Sequence, residues 1–281
     1  MGTTTSAIQT LIGRAARAYS AGPLIEDARS ACRWAARKNL STAVCYWNKP
    51  QDPPGFVAQS YIGLLQFIAG LHNDSYLSIK APAFDFDGEL LGTIIENARQ
   101  HGNTLVHFDA MAPETVDRTF ALITQARGSY SNIGCVLPGR WRRSVRDVDY
   151  AVDLGLRVRV VKGEWCGIEG DETDRCEGYL QVVERLAARR ARHVAIATHD
   201  ARLAARCIDC LKMAGTSCEL ELLYGLPQRV MLDLARKCCI QARIYVPYGY
   251  PGLPYRLKDV FRNPRIFIWF AQDLIRGSAA S

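Results

Sequence analysis

The stretch RVRVVK, residues 157–162, begins the part of the sequence that decides the fold. It is a short run rich in β-branched residues, as expected of a strand. Between residues 179 and 186, apolar side chains recur at steps of three, one and three, which places them on one face of a helix. A second β-branched run, HVAIAT at residues 193–198, follows that helix. Two strands joined by a helix predict parallel pairing through a right-handed crossover.

This strand–helix unit recurs along the chain. We predict eight strands, at residues 42–47, 76–80, 105–109, 133–137, 157–162, 193–198, 218–223 and 242–246. Eight such units close into a TIM-type (β/α)8 barrel. A doubly wound open sheet is the alternative, but the GxGxxG signature of that fold does not stand at the first strand–helix turn. Two further helices, at residues 6–19 and 23–38, are predicted before the first strand.

The composition indicates one large globular domain. The chain has 281 residues, of which 48% are hydrophobic, so we expect a single barrel domain over residues 1–281. The net charge is +7, but Arg185, Arg189 and Arg192 share one helix face at spacings of four and three. We interpret this face as solvated, because a nucleic-acid-binding surface usually concentrates its cations in one patch or stripe. No nucleic-acid partner is therefore expected.

The cysteines and the apolar runs bear on location. Of ten cysteines, Cys207 and Cys210 form a CxxC, with no second pair at zinc-finger distance and no histidine at ligand spacing. We therefore expect no metal site and interpret the cysteines as reduced thiols of a cytoplasmic protein. No apolar run reaches the length of about 18 residues that predicts a membrane-spanning helix. The start MGTTTS matches a short myristoylation pattern, which leaves peripheral attachment to a membrane as an alternative.

Polar side chains recur at or near the ends of the predicted strands. In a barrel of this kind, the carboxyl ends of the strands carry the active site. Taken singly, each of these residues could be a solvated loop residue or a structural hydrogen-bonding group. Their recurrence on successive strands predicts a shared site. The residues are Lys80, Asp109, Arg159, Lys162, Thr198, His199, Glu219, Glu221 and Tyr245.

Six segments of the chain carry a resemblance to a known family. They are YLSIK at 76–80, HFDAM at 107–111, RVRVVKGEW at 157–165, AIATHD at 195–200, ELELLYGLP at 219–227 and RIYVPYG at 243–249. In this order and spacing, over residues 6–265, the sequence resembles the proline dehydrogenase family. The resemblance implies a (β/α)8 barrel that binds FAD and oxidises proline to pyrroline-5-carboxylate by hydride transfer to the flavin. It also implies a small-molecule amine as substrate, and it leaves the electron acceptor open.

The resemblance further implies roles for individual residues. Arg159 resembles the arginine near the reactive flavin nitrogen, and Lys80 and Asp109 resemble the family's active-site lysine and aspartate, so these three are the expected catalytic residues. Trp165 stands where the family usually has tyrosine. The expected cofactor-binding residues are Arg159, Lys162, Gly163, Thr198 and His199. The expected substrate-binding residues are Lys80, Trp165, Leu223, Tyr245, Tyr255 and Lys258.

Several positions depart from the family pattern. The family's last helix carries two arginines that hold the carboxylate of proline, and Lys258 and Asp259 stand in their place. Lysine offers a point charge without the bidentate fork of arginine, and Asp259 would repel a carboxylate. Arg262, one turn further along, replaces an acidic residue and could supply the missing cation. Pro138 stands where the family has a flavin-contacting glutamine.

These departures leave three functions open. The first is oxidation of proline by FAD, the family's usual activity. The second is the same chemistry on a related cyclic or secondary amine that lacks a free carboxylate, which Lys258 and Asp259 favour. The third is a barrel that has lost catalysis and serves as a binding or regulatory protein. The joint presence of four reactive residues at the strand ends argues against the third; they are Lys80, Asp109, Arg159 and His199.

Overall fold

A closed barrel of parallel strands forms the centre of the chain, in a computed structural model that describes residues 19–71 and 73–250. The strands follow one another around the barrel in chain order, and the last pairs with the first. The (β/α)8 barrel predicted from the sequence is therefore confirmed. The strands are β1 Ser41–Trp47, β2 Tyr76–Ile79, β3 Val106–Phe108, β4 Ile133–Pro138, β5 Arg157–Val161, β6 Val194–Ala197, β7 Cys218–Leu223 and β8 Gln241–Gly249.

Among the described residues, one α-helix precedes β1, and one α-helix lies between each pair of successive strands. The helix predicted at residues 23–38 is confirmed as α1, which packs against β1 and β8. The helix predicted at residues 6–19 lies outside the described residues except for Tyr19. The helices are α1 Ile25–Arg37, α2 Pro54–Ala69, α3 Gly88–Gln100, α4 Val116–Arg127, α5 Ser144–Asp153, α6 Arg175–Ala188, α7 Ala201–Met213 and α8 Arg229–Lys237.

The observed strand ends agree with the predicted ends to within one residue, except at the end of β8. This strand continues to Gly249, past the predicted end at residue 246. Pro247 lacks an N–H group and usually marks the end of a strand, but here it stays in register opposite Cys45 of β1. The parallel pairing of β8 with β1 runs from Ser41↔Arg243 to Trp47↔Gly249, and it closes the barrel.

The two faces of the barrel wall differ in polarity. Alternate residues of a strand point to opposite sides of the sheet. On β5, Val158 and Val160 belong to the apolar core that the wall forms with the helices, whereas Arg157 and Arg159 contact residues of other strands inside the barrel. Barrel interiors are usually filled by branched apolar side chains. This interior holds charges instead, and a buried charge is tolerated only when it is paired and hydrogen-bonded.

Candidate active site

The side chain of Arg159 lies inside the barrel and is 3% exposed. Its Nη1 donates to Oε1 of Glu221 at 2.5 Å, and its Nη2 donates to Asp109 and, at 3.0 Å, to Oγ of Ser78. Burial alone would lower the pKa of Arg159, but attraction by Glu221 and other buried acidic groups raises this pKa well above its usual value. Arg159 therefore remains charged in its buried position.

Asp109 directly follows β3 and binds groups from four other strands. Its Oδ1 accepts from Arg159 of β5 and, at 2.7 Å, from Oγ of Ser78 of β2. Its Oδ2 accepts from Oη of Tyr245 of β8 at 2.8 Å and from Sγ of Cys45 of β1 at 3.5 Å. The guanidinium carbon of Arg159 is 4.9 Å from the centre of the Tyr245 ring. The structure thus brings together three residues that the sequence proposes for the site: Asp109, Arg159 and Tyr245.

Glu221 and Tyr76 complete this cluster. Glu221, on β7, is 2% exposed, and its Oε2 accepts from Oη of Tyr76 of β2 at 2.5 Å. Burial and, next, the neighbouring Glu221 raise the pKa of Tyr76 well above its usual value, so the hydroxyl keeps its proton. The sequence includes Glu221 in the predicted shared site without giving it a role, and it does not single out Tyr76. Glu221 stands two residues before Leu223, so both lie on one face of β7. This spacing could have predicted that Glu221 points toward the same site as Leu223.

Lys80 lies at the carboxyl end of β2 and is partly exposed. Its Nζ is 5.1 Å from the centre of the Trp47 ring, a cation–π contact with the end of β1. Its backbone N–H donates to Oη of Tyr61 at 3.1 Å. The lysine therefore extends along the rim of the barrel, while the carboxylate of Asp109 is bonded by Arg159.

The glycine after β5 has a strict steric requirement. Gly163 has a φ of 92°, and a Cβ atom at this position would stand 2.9 Å from Cβ of Pro138. Only glycine combines this backbone conformation with so close an approach. Beside it, Nζ of Lys162 lies 3.8 Å from Oδ2 of Asp200. The loop after β5 therefore meets the end of β4 on one side and the loop after β6 on the other.

His199 ties the loop after β6 to β7. Its Nε2 accepts from the backbone N–H of Leu223 at 2.9 Å, and its Nδ1 lies 3.2 Å from the carbonyl oxygen of Pro227, so Nδ1 carries the proton. Oγ1 of Thr198 accepts from the backbone N–H of Asp200 at 3.1 Å. Asp200 in turn caps the amino end of α7. Thr198, His199 and Leu223 are thereby fixed at the carboxyl ends of β6 and β7.

Trp165 lies in the loop after β5 and is partly buried. Its carbonyl oxygen accepts from Nε1 of Trp141 at 3.1 Å, which joins the loops that follow β4 and β5. The remaining predicted positions lie outside the described residues; they are Tyr255, Lys258, Asp259 and Arg262.

A second charged cluster lies nearer the amino ends of the strands. Nε and Nη2 of Arg243, which is fully buried, donate to the two carboxylate oxygens of Glu219 at 2.9 and 3.0 Å. Burial would raise the pKa of Glu219, but attraction by Arg243 lowers it far below its usual value. The expectation that Glu219 shares a site with the strand-end residues is wrong. Glu219 is the second residue of β7, so it lies one step of the pleat below Glu221.

Within residues 19–71 and 73–250, no group of three or more histidine, cysteine, aspartate or glutamate residues is arranged to hold a metal ion. No helix there is long and apolar enough to cross a membrane. All ten cysteines are free thiols.

A closed parallel (β/α)8 barrel with reactive groups at the carboxyl ends of its strands has the architecture of a barrel enzyme. No family model matches the sequence. The chain is 25% identical to proline dehydrogenase from Deinococcus radiodurans over 288 residues, which cover 93% of this chain and 90% of that protein. The chain is therefore similar to a proline dehydrogenase over almost its whole length.

Solved structures share the barrel fold. The chain matches proline utilization A (PutA) from Bdellovibrio bacteriovorus, inactivated by N-propargylglycine, with a TM-score of 0.75 and 16% identity. It matches PutA from Corynebacterium freiburgense with a TM-score of 0.67 and 15% identity. The matches cover 93% and 89% of this chain, but 34% and 31% of those proteins. This chain therefore spans about a third of the length of either PutA.

Proposed function

We propose that this chain is an FAD-dependent oxidoreductase that oxidises proline to pyrroline-5-carboxylate by hydride transfer to the flavin. The observation that carries the proposal is the environment of Arg159. Its Nε is buried and has no hydrogen-bond acceptor among the described residues, while both Nη atoms are bonded. A buried donor without an acceptor is costly. This edge of the guanidinium therefore suits a bound group that brings an acceptor, as the ring nitrogens and carbonyl oxygens of a flavin do.

The expected cofactor-binding residues also fit FAD chemically. When bound, the flavin accepts the hydride and carries the negative charge that results. Arg159 would offset that charge from a buried position, where a fixed cation acts strongly. Lys162 would supply a cation for the diphosphate, and Gly163 allows a close approach of the backbone. Thr198 and His199 would contact the cofactor from the neighbouring strand end.

The substrate side of the site would be formed by residues of the same rim. Burial and, next, Asp109 raise the pKa of Tyr245 well above its usual value, so its hydroxyl stays protonated and bonded to Asp109. Leu223 would exclude water from the path of the hydride. Lys80 and Trp165 would complete this side of the pocket, together with Tyr255 and Lys258 from the segment after β8.

The same oxidation of a cyclic or secondary amine without a free carboxylate is the second candidate. The observation that favours it is the sequence Lys258–Asp259 at the positions where the family holds the substrate carboxylate with two arginines. Charge-assisted bonds of this kind contribute roughly 1.5–3 kcal/mol each. Their loss, together with repulsion by Asp259, should weaken proline binding by about a hundredfold or more.

The test begins with the visible spectrum of the purified protein after incubation with FAD. We expect the absorption of a bound, oxidised flavin, which L-proline bleaches under anaerobic conditions. A chain that binds no flavin would contradict the proposal and favour a barrel without catalysis. Bleaching by pyrrolidine, which has the ring of proline without its carboxylate, and none by proline would instead favour the second candidate.

The role of Asp259 is tested in the same titration. We expect weak binding of proline to the wild type and binding tighter by roughly a hundredfold in Asp259→Arg, since the substitution removes a repulsion and restores a fork. Pyrrolidine is the matched control, because it has no carboxylate for residue 259 to meet. Tight wild-type binding without improvement in the variant would show that another cation, with Arg262 the first candidate, holds the carboxylate.

A further inference from the structure

Glu221 is a buried carboxylate to which the proposed function assigns no role. It is 2% exposed, and both of its oxygens are bonded, one by Nη1 of Arg159 and the other by Oη of Tyr76, each at 2.5 Å. An ionised group in such a position costs several kcal/mol unless its partners compensate fully. The same strand carries an arginine-paired carboxylate at Glu219, so β7 brings two of them into the barrel.

The hydrogen bonds of Arg159 show that Glu221 helps to fix the orientation of the guanidinium. Nη2 is held by Ser78 and Asp109 on one side, and Nη1 is held by Glu221 on the other. Because a guanidinium is planar, bonds at both Nη atoms set the plane and the direction of the remaining Nε–H group. That group is the one without an acceptor among the described residues. Without Glu221, the guanidinium of Arg159 could rotate and turn an Nη atom, instead of Nε, toward the site.

Glu221 also determines how much positive charge Arg159 presents. The guanidinium is shared by two carboxyl groups, those of Asp109 and Glu221. Further charge nearby comes from Arg243, whose guanidinium carbon lies 4.5 Å from the centre of the Tyr76 ring. His107 stacks on the same ring at 5.3 Å. Burial and, next, Arg159 lower the pKa of His107, so this ring is neutral and adds no cation.

We propose that Glu221 is a positioning residue that directs the Nε–H edge of Arg159 toward the flavin and, by sharing the charge of Arg159, holds the reduction potential of the flavin down. This inference rests on the proposed FAD chemistry. A reduced flavin carries negative charge, so a cation partly neutralised by Glu221 stabilises it less than a free cation would. Interactions of this kind are strong at short range in a buried site.

The decisive measurement is the midpoint potential of FAD bound to Glu221→Gln. Glutamine keeps the shape of the side chain and an acceptor for Arg159, but it removes the charge. We expect two-electron reduction to become more favourable by about tenfold, which is about 30 mV. Glu219→Gln is the matched control, because it removes the same charge from the same strand one layer further from the flavin. We expect its effect to stay below about threefold, since the interaction falls with distance.

A second variant gives a shift of opposite sign. Tyr76→Phe removes the donor to Glu221 and leaves the carboxylate charge more fully directed at Arg159. We expect reduction to become less favourable, by about threefold, on the scale of about 30 mV per tenfold. Potentials unchanged in both variants, or shifts in Glu221→Gln no larger than in Glu219→Gln, would overturn the proposal. If Glu221→Gln does not fold, the sign of the Tyr76→Phe shift decides.

A flavin-free experiment separates this inference from the proposed function. Urea unfolding of the apoprotein in a double-mutant cycle of Glu221→Gln and Arg159→Met measures the coupling of the pair. We expect the two substitutions to deviate from additivity by about tenfold in the unfolding equilibrium constant. Coupling without any flavin binding would reject the proposed function alone. Additivity would reject the contact between Glu221 and Arg159, and with it the inference.

Discussion

Arg157 and Arg159 stand two residues apart on β5, and both enter the barrel, yet they have different partners. Arg159 contacts Glu221 and Asp109, whereas Arg157 lies 3.7 Å from Glu219 and from Asp74. The difference comes from the pleat, since a step of two residues moves a side chain by about 6.5 Å along the strand while keeping it on the same face. Arg159 thus lies in the upper layer, where the proposed flavin would bind, and Arg157 lies in the layer below.

This placement leads to the prediction for Arg159→Met. We expect the variant to retain flavin less well and to lower the reduction potential of the flavin that remains, because the cation next to the developing negative charge is lost. The measurement is the ratio of flavin to protein after gel filtration, followed by potentiometry. Arg157→Met removes the same charge in the lower layer and should retain flavin as the wild type does. Equal flavin content and potential in wild type and Arg159→Met would refute the role of Arg159.

Some residues of the candidate site could be predicted from the sequence, and others could not, for a physical reason. Arg159, Asp109 and Tyr245 could be proposed because a polar group at a strand end is unusual enough to notice. Glu221 could be proposed for the same site, but its partner Tyr76 could not, because tyrosine is common in strands and the bond crosses the barrel between β2 and β7. The period of two shows which residues share a face of one strand. It does not show which strand lies opposite.

At the scale of the element, β7 shows how one strand serves two layers. Glu219 bonds Arg243 in the lower layer, and Glu221 bonds Arg159 in the upper layer. Leu223, the next residue on that face, ends the strand and donates its backbone N–H to His199. The outward residues Leu220 and Leu222 are fully buried in the apolar core. The apolar residues of such a strand are enough to predict its bounds, and the predicted bounds of β7 agree with the observed ones. They do not show in which layer of the interior Glu219 lies, so its predicted site is wrong.

The lower layer makes stability depend on pH. The pKa of Glu219 in the folded protein is lowered below its ordinary value of 4.5, so near this pH the unfolded chain binds more protons than the folded one. The stabilisation by Glu219 is therefore fully present above pH 4.5 and is lost as the pH falls below it. We expect Glu219→Gln to lower the free energy of unfolding by roughly 3–5 kcal/mol at pH 7, because Arg243 stays charged and buried and keeps only the exposed Asp74 as a carboxylate partner. Toward lower pH, the difference from the wild type should shrink by at most about 1.4 kcal/mol per pH unit.

Urea unfolding of wild type and Glu219→Gln at several pH values between neutral and acid tests this dependence. The control is Glu177→Gln, which alters an exposed glutamate in the first turn of α6. Its effect should be small at every pH, because exposed charges contribute little. A difference between wild type and Glu219→Gln that stays constant through this range would show that the carboxylate of Glu219 does not titrate differently in the folded protein.

At the scale of the whole molecule, the number and order of the strands follow from the sequence because every helix–strand unit repeats the same apolar pattern. Closure of the barrel follows less directly from the sequence. It depends on the long pairing of β8 with β1, and Pro247 indicates an earlier end of β8 than the structure has. The polar interior is a further property that only the assembled barrel has. Each charge there is stable because strands distant in the sequence bring its partner, as Tyr76 and Glu221 or Asp109 and Arg159 do.

The two charged layers allow the functions of the barrel interior to be separated by replacing one pair at a time with apolar residues. A buried ion pair replaced as a unit often leaves stability unchanged or increases it, whereas loss of one partner costs roughly 3–5 kcal/mol. For the lower pair, Glu219→Leu with Arg243→Met, we expect unfolding free energy within about 2 kcal/mol of the wild type, since Arg243 also bonds Asp74, and undiminished flavin binding. For the upper pair, Glu221→Leu with Arg159→Met, we expect lower stability, because Asp109 stays buried without its cation, and loss of flavin. The measurements are urea unfolding of each apoprotein and the flavin-to-protein ratio after reconstitution. If the lower pair lost flavin as completely as the upper pair, the interior would act as one unit, and the assignment of the cofactor to the carboxyl ends of the strands would fail.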